Sequence, residues 1–420
     1  MGERASAILP LLLATLGGQA QIWEIYDMQN AGLPSNTVNT LAVEDNGVLW
    51  AGTDWGLCRY DGMNWEFFQT MNSDIPDNDI RALAIDANGD LWVGMFIGGL
   101  AHFDGTDWTV FDTQNSPLPQ DQIRALHFDP GTGALWIGTS DGLARLKGGD
   151  WRIYDMGPGS YGGLQLPGNN IASIDVRSDS LVCLGTLNAG YTYLTDTAVV
   201  YFNSFNNSLP DNTALGTAID AAGDRWAACP AGGLLYHTGA FNGGVWFQYS
   251  TVTSLIPTNS LNAIVIDQAQ RKIIGTQASG LTIYGPGGTW TTYNTFNSDI
   301  PDDQVTCLAL NDAGGLWLGT TTGGLAYFDL STGLSPAWAP APLKVFPNPT
   351  EGAVRVEVSW EHRDGTVQVR DLSGRLVQEV PCGGRTIMDL DLASCASGTY
   401  AAHVLQRDGS LGGIGLLVRK

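Results

Sequence analysis

The stretch Gly47–Trp65 reads "GVLWAGTDWGLCRYDGMNW". It is restated at Gly89–Trp108 as "GDLWVGMFIGGLAHFDGTDW", at Gly133–Trp151 as "GALWIGTSDGLARLKGGDW" and at Gly314–Asp329 as "GGLWLGTTTGGLAYFD". Repetition at a steady spacing marks a repeat architecture. The second position of the "LW" phrase falls at Trp50, Trp92, Trp136, Val182, Trp226, Ile273 and Trp317, with gaps of 42, 44, 46, 44, 47 and 44 residues. That period fits a four-stranded β-propeller blade.

Each unit divides into four short strands. An alternating apolar run such as "IRALAID" (Ile80 to Asp86) is followed by an Asp/Asn/Gly turn, "LWVG", a Gly turn, "GLAHFD" and "WTVF". Short strands at even spacing with turn residues between them predict an all-β fold. A second marker gives the same count. An Ile/Leu-Pro pair stands before each first strand, at Leu33, Ile75, Leu118, Leu166, Leu209, Ile256 and Ile300. Proline lacks an N–H and belongs between strands. Asn36, Asn78 and Asp121, two residues past the proline, have side chains able to bond nearby backbone.

The ends of the array decide its shape. The fourth-strand phrase occurs at Trp23–Tyr26, ahead of the first unit, and is missing after the seventh. The expectation is therefore an all-β, seven-bladed β-propeller over residues 21–330, closed by its N-terminal strand pairing beside Leu325–Phe328. Closure of this kind leaves no orphan strand edge.

The pattern "LPxNxVxxLxxDxxGxLWxGTxxGLxRYD" resembles the two-component regulator propeller repeat. In its best-known setting that repeat builds the periplasmic sensors of bacterial hybrid histidine kinases that detect polysaccharide fragments. The resemblance implies a scaffold more than a role.

The remaining segments suggest export. "MGERASAILPLLLATLGGQAQ" has a basic residue, a short apolar run and small residues before a cut between Ala20 and Gln21, the pattern of a signal peptide over residues 1–20. No later apolar run of 18 residues predicts a membrane span. A Pro/Ala-rich linker at 331–342 leads to residues 343–420, where alternating strands predict a small immunoglobulin-like β-sandwich. Phe346-Pro347-Asn348-Pro349, the turn Asp371 to Arg375 containing Gly374, Gly398 and Tyr400 in "SGTY", and the terminal Lys420 resemble the type A sorting domain of the Bacteroidota type IX secretion system. That resemblance implies passage through the periplasm to the cell surface or medium, with the secretion machinery as partner.

The formal net charge is −22. Residues 343–420 hold nine basic and nine acidic side chains, so the excess lies wholly in the earlier part. Such a surface disfavours nucleic acid and anionic membranes. Cys58, Cys183, Cys229 and Cys307 read as small buried residues, while Cys382 and Cys395 are close enough in sequence to pair or to stay free.

No H-E-x-x-H or C-x-x-C motif occurs. His102, His127 and His237 fall in strands of different blades and read as packed side chains. "DANGD" (Asp86 to Asp90) reads as a hairpin turn, since it lacks the later bidentate Glu of a calcium loop. Eleven of the 14 tryptophans sit at repeat positions and read as packing between blades.

Trp55 and Phe96 are different. Both fall in the turn between second and third strands, on the face around the channel mouth, where other blades carry small or polar residues. Together with Asp54 and Asn188 they form the expected ligand-binding set, for an extracellular glycan or protein. The reading is a non-catalytic recognition propeller. Alternatives are a propeller hydrolase or lyase, or a structural adhesin or spacer.

Overall fold

The computed structural model describes residues 23–178, 181–206, 209–238, 244–330, 341–342, 344–346, 353–358, 365–371, 376–405 and 411–419. The chain divides into two compact units, Ile22–Ser331 and a C-terminal one beginning at Thr332.

The first unit contains seven four-stranded antiparallel sheets. Blade one is Val38–Val43, Leu49–Thr53, Gly56–Tyr60 and Trp65–Phe68. Blades two to six follow in chain order, starting at Ile80, Ile123, Ile171, Gly216 and Leu261. Blade seven takes Val305–Leu310, Gly315–Thr320 and Leu325–Asp329, and its outer strand is Trp23–Tyr26. The register runs Trp23↔Phe328 to Tyr26↔Leu325, as the sequence predicts. Trp23 stacks on Phe328 at 4.4 Å between centroids and meets Tyr293 of blade six edge-on at 6.1 Å.

The repeat consensus has a packing cause. In the "LWxGT" phrase the glycine leaves space for the next blade. A Cβ added at Gly94 would lie 2.4 Å from Ile123, at Gly138 2.8 Å from Ile171, at Gly275 2.8 Å from Val305 and at Gly319 2.7 Å from Val38. At five of the seven junctions, those of Val38, Ile80, Ile123, Ile171 and Val305, a branched residue that opens a first strand thus seats on the glycine of the preceding blade. The Gly319–Val38 contact continues this packing across the ring's closure.

Rings fill the outer part of the same interfaces. Trp50 and Phe68 of blade one meet Phe103 of blade two, Phe202 of blade four meets Trp246 of blade five, and Tyr249 of blade five meets Trp290 of blade six. The tryptophans are not equally covered. Trp50, Trp136 and Trp226 are buried, whereas Trp65, Trp108 and Trp151 are half-buried at the outer strands.

The Leu/Ile-Pro marker is a clamp. Leu33, Ile75, Leu118, Leu166, Leu209, Ile256 and Ile300 are all buried. Two residues past each proline, Asn36, Asn78, Asp121, Asn169, Asn212, Asn259 and Asp303 each accept a backbone N–H from the turn that ends an outer strand, at 2.7–2.9 Å. One side chain per blade thereby fixes the chain's return to the centre.

In the C-terminal unit, Ala341–Pro342, Leu411–Arg419, Gly398–Leu405, Thr366–Asp371 and Leu376–Pro381 form a five-stranded sheet in that order. Lys344–Phe346, Ala353–Glu357 and Ile387–Asp391 form a second, three-stranded sheet. Val354, Val356, Met388 and Leu390 of the small sheet share one apolar cluster with Val367, Val369, Ala402 and Val404 of the large one. The unit is thus two sheets over a common core; the immunoglobulin-like part of the expectation goes beyond that observation. All six cysteines are free thiols, including Cys382 and Cys395, which pack in and against this core.

Candidate functional site

The mouth face follows from backbone geometry. Turns between second and third strands bond the segment that enters a first strand: Asp54 N–H to Thr37 O, Phe96 N–H to Asp79 O and Leu187 N–H to Asn170 O. These turns therefore share one end of the ring with the Leu/Ile-Pro segments. The Asp86–Asp90 hairpin lies at the other end of its strands.

The central channel opens on this face as a recess of about 270 Å³. Asn39, Arg81, Arg124, Ala172, Leu215 and Thr306 line it from six different blades. Each is the second residue of its blade's inward run, counting from the one seated on the neighbour's glycine, except that Leu215 stands just before strand Gly216–Ile219. At three of the seven equivalent positions the side chain stitches one blade to the next. Asn39 Nδ2 donates to Ile80 O at 3.0 Å, Asn262 Nδ2 to Val305 O at 2.9 Å, and the Thr306 hydroxyl to Val38 O.

Arg81 and Arg124 break that pattern on adjacent blades. Arg81 forms an ion pair with Asp79, Nε to Oδ1 at 2.6 Å, and its guanidinium lies 5.3 Å from the Phe96 ring centre. Arg124 has no carboxylate among its described partners. Its Nη2 donates to Gln122 Oε1 at 3.2 Å, while its buried Nε–H meets no acceptor among the described residues. Burial, and then the charge of Arg81, push the Arg124 guanidinium below its ordinary pKa. Both effects disfavour its charged form.

Of the four residues expected at the ligand site, Phe96 lines the recess and is 41% exposed. Trp55 is 61% exposed in the blade-one turn, beside exposed Asp54; Asn188 is exposed in the blade-four turn. These three share the face with Phe96 but do not line the recess. Sequence reasoning passed over Arg81 and Arg124. Their signal was the doubled "IRAL" at Ile80–Leu83 and Ile123–Leu126, where other blades have Asn, Thr, Ala or Leu at the second position.

Two larger recesses, of about 390 and 430 Å³, open beside outer strands and are lined by repeat positions such as Trp50, Arg59 and Arg145. Paired groups account for part of their polar lining, as with Arg59 and Glu66 at 3.0 Å. The turns after the outer strands form a second exposed set on the mouth face: Met28, Met71, Met156, Phe205, Val252 and Phe296 are 52–95% exposed. Blade two has Gln114 there.

The three histidines of the propeller, His102, His127 and His237, lie in three different blades. His102 Nε2 lies 3.4 Å from Asp90 Oδ2 and 3.9 Å from Asp86 Oδ2, and the three side chains offer ligand atoms within 4.8 Å of one another. The hairpin already uses Asp86: Oδ1 accepts the N–H groups of Asn88 and Asp90, and Oδ2 accepts Trp92 Nε1–H at 3.3 Å. His237 is buried against Tyr193, Phe202 and Trp246, with Arg225 Nη1 3.4 Å from Nδ1. His127 Nδ1 lies 3.7 Å from Asp175 Oδ1.

Of the sorting-motif positions, Phe346 ends strand Lys344–Phe346 and Asp371 ends strand Thr366–Asp371. Gly398 opens strand Gly398–Leu405, and buried Tyr400 donates its hydroxyl to Ala396 O at 2.6 Å. Pro347, Asn348, Pro349, Gly374 and Lys420 lie outside the described residues, as do Ala20 and Gln21.

Residues 344–411 match the family described as the secretion system C-terminal sorting domain. Residues 32–55 and 74–96 match the two component regulator propeller. The chain carries regulator propeller repeats and a sorting domain. A protein with this sorting domain is exported through the periplasm, to the cell surface or the medium. No curated protein matches the sequence.

Among solved structures, the extracellular domain of the hybrid two component system BT3049 from B. thetaiotaomicron is 17% identical with TM-score 0.67, covering 95% of this chain and 57% of that one. PorZ, a surface component of the type-IX secretion system of Porphyromonas gingivalis, is 18% identical with TM-score 0.57, covering 91% and 60%. Virginiamycin B lyase from Staphylococcus aureus is 12% identical with TM-score 0.58, covering 74% and 99%. This chain thus spans under two-thirds of the first two. At these identities the likeness is one of fold. No helix among the described residues is long and apolar enough to cross a membrane.

Proposed function

We propose that this protein is a non-catalytic recognition propeller, delivered to the cell surface or medium by the type IX system through its C-terminal domain. It binds an extracellular ligand at the channel mouth, around Phe96, with Trp55, Asp54 and Asn188 on the surrounding face. One observation carries the reading: where the repeat elsewhere places packed or stitching side chains, the mouth presents an exposed aromatic beside a recess. Aromatic faces and a few polar groups in a concavity suit saccharide recognition.

The test is a glycan-panel titration of the full chain followed by thermal shift. Trp55→Ala and Phe96→Ala are expected to weaken binding at least tenfold with melting unchanged; retained binding in both variants removes this siting. A protein ligand is the second reading. Exposed Met28, Met71, Phe205 and Phe296 on the same face favour it, because large apolar side chains held in water suit a macromolecular partner.

A further inference from the structure

The channel mouth holds two cations in a strongly acidic protein. Only 11 Lys/Arg precede residue 343, against 33 Asp/Glu. Arg81 and Arg124 are two of those 11, and they stand on adjacent innermost strands lining one recess. Packing does not ask for them there. Asn39, Asn262 and Thr306 show the structural use of the position, which is to bond the next blade's backbone, and Ala172 and Leu215 show that it tolerates an apolar side chain. Among the described residues, neither guanidinium bonds the next blade's backbone in this way. Arg81 is turned to Asp79 and covers Phe96. Arg124 reaches only Gln122, and leaves a buried Nε–H without an acceptor among the described residues.

A buried N–H without an acceptor costs free energy, more so when the group is charged. A second like charge nearby adds to that cost. An incoming anion relieves both, and a planar carboxylate matches the guanidinium fork with two parallel bonds. Phe96 beside the fork offers an apolar surface for the C–H face of a sugar ring. A recess of about 270 Å³ is of the size of a small ligand group, below the range typical of drug-sized sites.

We propose that Arg124, assisted by Arg81 and Phe96, binds the carboxylate of an acidic saccharide at the channel mouth. This deepens the recognition reading and rests on it. It assigns the ligand's charge and names the residue that reads it.

The test is calorimetric titration of the full chain with trigalacturonate, its methyl ester and a neutral-backbone sulfated galactan tetrasaccharide. Trigalacturonate is expected to bind, and to weaken as salt is raised. Its methyl ester is expected to bind at least tenfold more weakly. Arg124→Gln should lose trigalacturonate binding by about tenfold or more, and Arg124→Lys should fall between, since it keeps charge but not the fork. Circular dichroism melting of each variant checks that the fold is intact.

Equal binding of acid and ester, or an Arg124→Gln variant that binds the acid like the parent, overturns the proposal. Tighter binding of the sulfated galactan, with the same dependence on Arg124, overturns the carboxylate assignment in favour of sulfate. If neutral saccharides bind through Trp55 and Phe96 and Arg124 plays no part, this inference fails while the recognition reading stands. If no saccharide binds at all, this proposal falls together with the saccharide form of that reading.

Discussion

His237 shows how a single buried side chain couples the fold to pH. Enclosed by Tyr193, Phe202 and Trp246, it is held to a pKa of about 4 by burial and then by Arg225; Asp224 and the backbone near Gly244 pull weakly the other way. The unfolded chain takes up that proton near the ordinary histidine value of 6.5, and the native state does not. Stability from this site is therefore complete above about pH 6.5 and declines as pH falls toward 4. His237→Phe keeps a ring in the slot and removes the proton site. The urea midpoint of this variant should fall less between pH 7 and pH 5 than that of the parent, by ~1–2 kcal/mol in free energy. Identical slopes in the two proteins rule out this origin. At the mouth, legibility from sequence was partial for a related reason. Phe96 and Trp55 departed from the repeat by being large, and large departures stand out. Arg81 and Arg124 were written in plain sight in two "IRAL" runs, but only the circular arrangement turns adjacent blades' side chains toward a common space.

At the level of the blade, the unit of design is the glycine-to-branched contact. Gly138→Ala brings a methyl to 2.8 Å from Ile171 and should cost ~1–3 kcal/mol by overpacking. Combining it with Ile171→Ala should cost less than the two single changes summed, because each relieves the other's misfit; strict additivity in a double-mutant cycle overturns the pairing. Gly47 is a control of another kind. Its φ is +89° and nothing lies within 4 Å of an added Cβ, so Gly47→Ala should cost about 1 kcal/mol through backbone conformation alone. Repetition also proved an imperfect guide to burial. The third residue past an outer strand recurs as Met71, Phe205, Val252 and Phe296, yet stands in water. Phe205→Ser and Phe296→Ser should leave urea stability within about 0.5 kcal/mol, while reducing uptake of an apolar dye. A large loss of stability in either variant contradicts its exposure. Strand count and strand order were readable because turn chemistry and period are local properties. Exposure at a repeated position depends on what the ring sets beside it, and no single repeat holds that information.

Across the whole molecule, the strand Trp23–Tyr26 decides whether seven sheets form a ring or a row. Removing it exposes the edge of Leu325–Asp329 and uncovers Phe328 and Tyr293. A variant lacking residues 23–26 should lose its single sharp calorimetric transition and elute larger on gel filtration, by association through the freed edge. A monomer melting like the parent overturns the closure. The ends of the repeat array foretold this pairing, since one surplus phrase and one missing phrase have a joint solution only in a circle. For the C-terminal unit the sequence told less. Its strands were legible from alternation, but the pairing of Ala341–Pro342 in parallel with Leu411–Arg419 joins segments some seventy residues apart, and no short-range signal encodes that.

The ring's fastener also sets a timetable. The polypeptide emerges from the ribosome amino end first, so Trp23–Tyr26 is made early and its partner Leu325–Asp329 roughly three hundred residues later. Until that late segment appears, the early one has nowhere to dock, and the nascent product remains an unlatched string of hairpins. Such long-range pairing is intrinsically slow. For an exported protein the delay is useful, because a thread can pass a narrow membrane pore where a finished wheel cannot.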